Sequence, residues 1–178
     1  MTERKSLLIP CCMRLGRKQQ GIALPIVLMI VAMMLVTSSA WFESALLDAR
    51  NASATADHQQ AFHAADSALR LCARALMSGA MVAPLPPDES GEPSAWRQPR
   101  DFDARAVVQI EPWPGSVRPP QCMIESWKLE TRPEARAFLL TARGFGASVD
   151  AQSWLQLQLV IDGTDVESHW RRVVARPF

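Results

Sequence analysis

The chain has 178 residues, enough for one modest domain beside an anchor, and a net charge of +1. That balance argues against nucleic acid as a partner. The charge is unevenly placed: residues 1–21 hold Arg4, Lys5, Arg14, Arg17 and Lys18 against Glu3 alone. The rest keeps 14 of the 19 basic and 17 of the 18 acidic side chains.

A basic stub followed by an apolar run is the positive-inside pattern, which keeps the stub cytoplasmic. From Ile22 to Phe42 there is no charge. As a helix this run is about 31 Å long, matching a bilayer core of about 30 Å. A secretory signal has a shorter apolar region, roughly 7–15 residues. Ser38 and Ala40 nevertheless carry signal-peptidase spacing, so cleavage after Ala40 stays open. Pro25 is awkward inside an uncut helix, where it removes the bond to the Gly21 carbonyl. Cut between Gly21 and Ile22, the chain places Pro25 in the first helical turn, where those amides have no intrahelical partner.

Past Phe42 the helix is expected to continue to Ser78. Phe62, Ala65, Leu69, Cys72 and Leu76 form one apolar stripe at three- and four-residue steps, and Gly79 is a stop signal. An unbroken helix over 22–78 would measure roughly 85 Å. Asn51, Ser53 and Thr55 are weaker helix formers and a possible break. Residues 79–102, with their prolines and Gly91, are expected to form a connecting loop.

Four segments then read as strands: 104–113, 121–130, 136–146 and 153–162. The last is clearest, with Leu155, Leu157, Leu159 and Ile161 alternating with Gln156, Gln158 and Val160. Asp162–Gly163 could turn the chain into a fifth, edge strand over "HWRRVVARPF". "ARGFG", with Gly144 and Gly146, reads as a bend or bulge. The expected fold is α+β: a long N-terminal helix whose stripe covers the apolar face of an antiparallel sheet of about four strands.

The residues that could carry chemistry point away from catalysis. His58, His63 and His169 lack metal-ligand spacing. No serine sits in a nucleophile elbow, and no glycine-rich loop cradles phosphate. Asp88, Glu89, Asp101 and Asp103 lack calcium-loop spacing. No enzyme, metal or cofactor is expected. Trp41 reads as a membrane-interface anchor. Cys11 and Cys12 lie in the stub. Beyond the span, Cys72 and Cys122 would enter an oxidising compartment, where they could pair or stay as two separately buried thiols.

Two stretches carry a resemblance. "QQGIALPIVLMIVAMMLV" with "ADHQQAFHAADSALRLC", and "FLLTARGFGASVDAQSWLQLQL", resemble the type IV pilins and pseudopilins, more narrowly the PilX-type minor pilins. That resemblance implies a domain order of leader 1–21, bundle or membrane segment 22–42, periplasmic helix 43–78, loop 79–102 and sheet domain 103–178. It implies cutting between Gly21 and Ile22 by a prepilin peptidase, with N-methylation of Ile22. Many pilins carry glutamate at the fifth mature position; here that position is Ile26. The implied role is a structural or priming subunit of type IV pilus assembly, at the filament tip for want of that glutamate. Implied partners are other minor pilins, the major pilin, the inner-membrane assembly platform and the lipid bilayer. The implied location is the bacterial inner membrane, N-terminus cytoplasmic and sheet domain periplasmic, then the pilus. Alternatives are a type II secretion pseudopilin or a membrane-anchored periplasmic binding or adhesion module.

Overall fold

A computed structural model of the chain describes residues 23–85 and 91–178. The chain divides into two units, Met1–Leu47 and Asp48–Phe178. One α-helix, α1 (Ala23–Met77), contributes to both.

In the first unit, every described residue of α1 is exposed. Three hydroxyl side chains bond back to the helix itself: Thr37 Oγ1 donates to Met33 O at 3.0 Å, Ser39 Oγ to Val36 O at 2.9 Å and Ser44 Oγ to Trp41 O at 2.9 Å. These hydroxyls can therefore enter an apolar surround without losing their hydrogen bonds.

In the second unit, α1 buries one face: Ala61, Ala64, Ala65, Ala68, Leu69, Cys72, Ala73 and Leu76. The three- and four-residue steps are those of an amphipathic helix facing a core. Phe62 stands at the margin of this face, half-buried, and alanines form its centre. The helix closes at Gly79, whose φ of +74° is left-handed. Gly79 N donates to Leu76 O at 3.2 Å and Met81 N to Ala75 O at 3.1 Å, satisfying carbonyls of the last turn.

The sheet is an antiparallel meander ordered β1-β2-β3-β4-β5. Its strands are β1 (Val107–Val108), β2 (Gln121–Trp127), β3 (Arg136–Phe145), β4 (Gln152–Asp162) and β5 (Asp165–Val173). The α+β expectation holds, with five strands. The segment 104–113 is not a full strand: a seven-residue helix, α2 (Pro99–Arg105), takes its start, and Val107–Val108 alone pair with β2. Residues 79–102 are more than a loop, since they carry a 3₁₀ turn (Ala95–Arg97) and most of α2. Pro99 opens α2 with φ already set for a helix. So short a helix shows no periodicity in sequence.

Both faces of the sheet are covered, where the alternation of β4 suggests one. Leu140, Ala142, Leu155 and Leu159 pack against α1. On the other side Met123, Leu139 and Trp154 pack against Trp96 and Phe102. Gln156, which the alternation places at a polar outer position, is 1% exposed. Its burial is tolerated because it is bonded at both ends: Nε2 donates to Thr141 Oγ1 at 3.0 Å, and Oε1 accepts from Arg171 Nε at 2.8 Å.

Candidate assembly helix and helix–sheet seam

The exposed half of α1 carries no charge from Ala23 to Phe42 and is mostly apolar there. Its most apolar stretch reaches a mean hydropathy of 2.2 with nothing buried, so by length and composition it can cross a membrane. A surface of this kind needs a lipid or protein partner. No acidic residue occurs in the first turn, and Ile26 is 52% exposed there. Gly21 and Ile22, the expected cleavage pair, lie outside the described residues, as do Cys11, Cys12, Asp88 and Glu89.

The two stretches that carry the resemblance meet each other in the fold. "DHQQAFHAA" on α1 lies against "TARGFG" at the end of β3. A Cβ added at Gly144 would collide with the Ala61 carbonyl oxygen and the Ala65 amide nitrogen. At Gly146 it would collide with the backbone and carboxylate of Asp57. The glycines therefore do not mark a bulge. Arg143, Gly144 and Phe145 stay in regular register with Trp154, Ser153 and Gln152. Backbone approaches backbone here, and only glycine leaves room.

Asp57 ties the far end of this seam. Its carboxylate accepts from Ala147 N and from Ser148 Oγ, the latter at 2.6 Å. The Ser148 hydroxyl, foremost, holds the Asp57 pKa below the ordinary carboxylate value. At the other end the structure joins Cys72 of α1 to Cys122 of β2, with Cα atoms 6.4 Å apart. Both cysteines are fully buried.

Sequence reasoning gives Arg143 no role. Its guanidinium lies 5.1 Å from the Phe102 and Phe145 ring centroids, 5.3 Å from Trp154 and 5.5 Å from Phe178. It also donates to Asp103 Oδ1 at 3.0 Å and Gln121 Oε1 at 2.6 Å. Burial lowers its pKa and the Asp103 carboxylate opposes that shift. The side chain is a cation clasped by aromatic faces, staking α2 to the sheet. Arg in an alternating strand looks like a solvent position, so nothing in the local pattern signals this.

Glu125 is 6% exposed. Its Oε1 accepts from Ala95 N at 3.0 Å, and among the described residues Oε2 has no partner. Burial raises its pKa. Among the described residues no group of three His, Cys, Asp or Glu side chains gathers to hold a metal.

Residues 20–70 match the PilX N-terminal family. That stretch takes in the Gly21–Ile22 pair, the exposed apolar helix and the alanine face up to Arg70. No curated protein and no solved structure matches the chain. Residues 20–70, under a third of the chain, are thus similar to the N-terminal domain of the PilX-type pilins.

Proposed function

We propose that the chain is a minor pilin, a structural and priming subunit of type IV pilus assembly. The observation that carries this reading is the PilX N-terminal match, which spans both the Gly21–Ile22 bond and the exposed apolar helix. A prepilin peptidase cuts after Gly21, whose bare backbone suits a tight active site, and Ile22 becomes the methylated N-terminus. The subunit waits in the inner membrane with its sheet domain in the periplasm. Assembly then moves the apolar helix from lipid into a bundle of similar helices, where Ala23, Ala32, Ser38, Ser39 and Ala40 permit close approach.

Ile26 sets where such a subunit fits. Burying an unpaired amine in a helix bundle is costly. A subunit with no acid in its first helical turn offers nothing to neutralise a neighbour's N-terminal amine. That suits a sparse priming or tip position, with few neighbours, better than repeated use along the fibre. Other minor pilins, the major pilin and the inner-membrane platform are the partners.

A photo-crosslinking amino acid at Leu28 or Leu35, both exposed on the apolar helix, tests the reading in producing cells. Adducts with other pilins are expected, together with fewer pili when the chain is deleted. Adducts with lipid alone, and unchanged piliation on deletion, would contradict it.

A further inference from the structure

Residues 91–98 lie over the second face of the sheet as a short flap built around the Ala95–Arg97 turn. Trp96, 5% exposed, enters the layer of Met123, Leu139 and Phe102. The flap supplies its own hydrogen bonds. Trp96 Nε1 donates to Pro93 O at 3.1 Å, Arg97 N to Ser94 O at 3.0 Å and Gln98 N to Ala95 O at 2.9 Å. The Arg97 guanidinium lies over the Trp96 ring, 4.9 Å from its centroid. Both ends suit a hinge. Gly91 has a φ of +143°, a conformation that glycine adopts without strain. Gln98 is extended, at φ −98° and ψ 120°, between the turn and α2. Beyond it α2 is staked separately, by Arg143 on Asp103.

Among the described residues two polar ties join the flap to the sheet, and each uses a carboxylate. At the exposed rim Glu92 pairs with Arg171 of β5. Beneath the flap Ala95 N donates to Oε1 of Glu125, on β2. The other oxygen, Oε2, is buried and has no donor. A cavity of about 370 Å³ lies alongside, bordered by Glu125, Arg105 and residues 91–95. Arg105 and Asp101 of α2 act on Glu125 through space, the first favouring its charge and the second opposing it. Glu92 borders the same cavity. Met123 and Trp127, its neighbours on this face of β2, and Leu139, opposite it on β3, are uncharged. One amide bond does not replace the hydration of an ionised carboxylate. Burial therefore outweighs both the Ala95 bond and Arg105, and it raises the Glu125 pKa.

We propose that Glu125 is a pH-operated latch on this flap: protonated, it holds residues 91–98 against the sheet, and ionised, it shifts them toward release. Release hydrates both carboxylate oxygens, whereas the closed flap offers Oε1 one donor and Oε2 none. Glu125 thus binds its proton more tightly with the flap closed than with it open. The opening constant is lowest below the ordinary glutamate value of 4.5. Above that pH it rises by up to tenfold per pH unit, and it levels off once the closed-state group is ionised. An open flap withdraws Trp96 and uncovers Met123 and Leu139. The face against α1, with Gly144 and the Cys72–Cys122 bridge, is not involved. The event is a local opening at the edge of a folded sheet, not unfolding.

Amide hydrogen exchange on the full chain in detergent micelles, from about pH 4 to pH 8, tests the latch. Protection factors are compared, which removes the intrinsic effect of pH on exchange. Protection at Ala95, Arg97 and Gln98 is expected to fall above pH 4.5, by up to tenfold per pH unit, and then to level off. Amides of β3 are expected to keep theirs. Glu125→Gln keeps the shape and the acceptor for Ala95 N but carries no charge, so in that variant flap protection should not change with pH. Should the variant fail to fold, the 13C resonance of the Glu125 carboxyl in the unaltered chain carries the test. It is expected to titrate above 4.5 and in step with the loss of flap protection. Four results overturn the proposal: flap protection that stays constant while Glu125 ionises, the same fall in Glu125→Gln, a Glu125 that titrates at or below 4.5, or β3 amides that lose protection in step with the flap. The last would make the event global unfolding.

Discussion

Replacing Gly144 by alanine separates two physical effects of opposite sign. Within a strand, glycine is ordinarily worse than alanine by about 0.5–1 kcal/mol, because it loses more backbone freedom on folding. If backbone entropy governed this position, Gly144→Ala would stabilise the protein. The geometry predicts the reverse. The new methyl group would overlap the Ala61 carbonyl oxygen and the Ala65 amide nitrogen and lie 3.0 Å from the Ala65 Cα. Carbon atoms prefer roughly 3.5–4.0 Å. Both walls are backbone, so no rotamer change relieves the overlap. The helix must lift from the sheet, loosening Ala61, Ala64, Ala65 and Ala68 together. Overpacking of this kind costs about 1–3 kcal/mol, and backbone walls favour the upper end. Urea unfolding of the full chain in micelles, followed by tryptophan fluorescence, is the assay. With a denaturant slope of about 2 kcal/mol/M, a loss near 2 kcal/mol lowers the midpoint by about 1 M. Gly79→Ala is the control: its φ of +74° strains an alanine, but a methyl group there meets nothing within 4 Å. It should cost about 1 kcal/mol, less than Gly144→Ala. A Gly144→Ala protein as stable as wild type, or more so, would refute the close approach of helix and strand.

Further outcomes follow from the same contacts. Cys72 and Cys122 are 50 residues apart in sequence, so in the chain-entropy account replacing both by serine costs about 4 kcal/mol, read as a lowered unfolding midpoint that reductant reproduces in the wild type. Arg143→Lys keeps a charge but not the planar fork held by Asp103, Gln121 and the surrounding rings; a loss of about 1–2 kcal/mol is expected, with near-ultraviolet dichroism from Trp154 reduced. Glu125 has a pKa raised by burial, so it holds its proton more tightly folded than unfolded. Its contribution is most favourable below the ordinary glutamate value of 4.5 and is lost as pH rises through the higher folded value. Glu125→Gln should therefore flatten the fall of stability above pH 4.5; an unchanged slope would show that this carboxylate is not desolvated.

The long helix and the β4 alternation are legible in the sequence because each repeats its period over many residues, which local exceptions cannot hide. β5 follows from the Asp162–Gly163 turn that precedes it. The covering layer on the second face is not legible. Trp96 and Phe102 sit among prolines and charges, and a helix of seven residues has too few turns to show a stripe. Gly144 and Gly146 read as a bend because glycine in a strand signals either a kink or a close neighbour, and only the neighbour's position decides. Arg143 is hidden for a related reason: its aromatic partners come from separate elements and no local pattern joins them. The apolar helix and the Ile26 position are plain in sequence, since an exposed greasy surface owes nothing to tertiary packing.

Mass spectrometry of the mature N-terminus in protein from producing cells tests the central claim most directly. A chain that begins at N-methylated Ile22 is the result required of a helix released to join a filament. A chain beginning at Met1, still tethered by its leader, or at Trp41, stripped of the apolar helix, would contradict it.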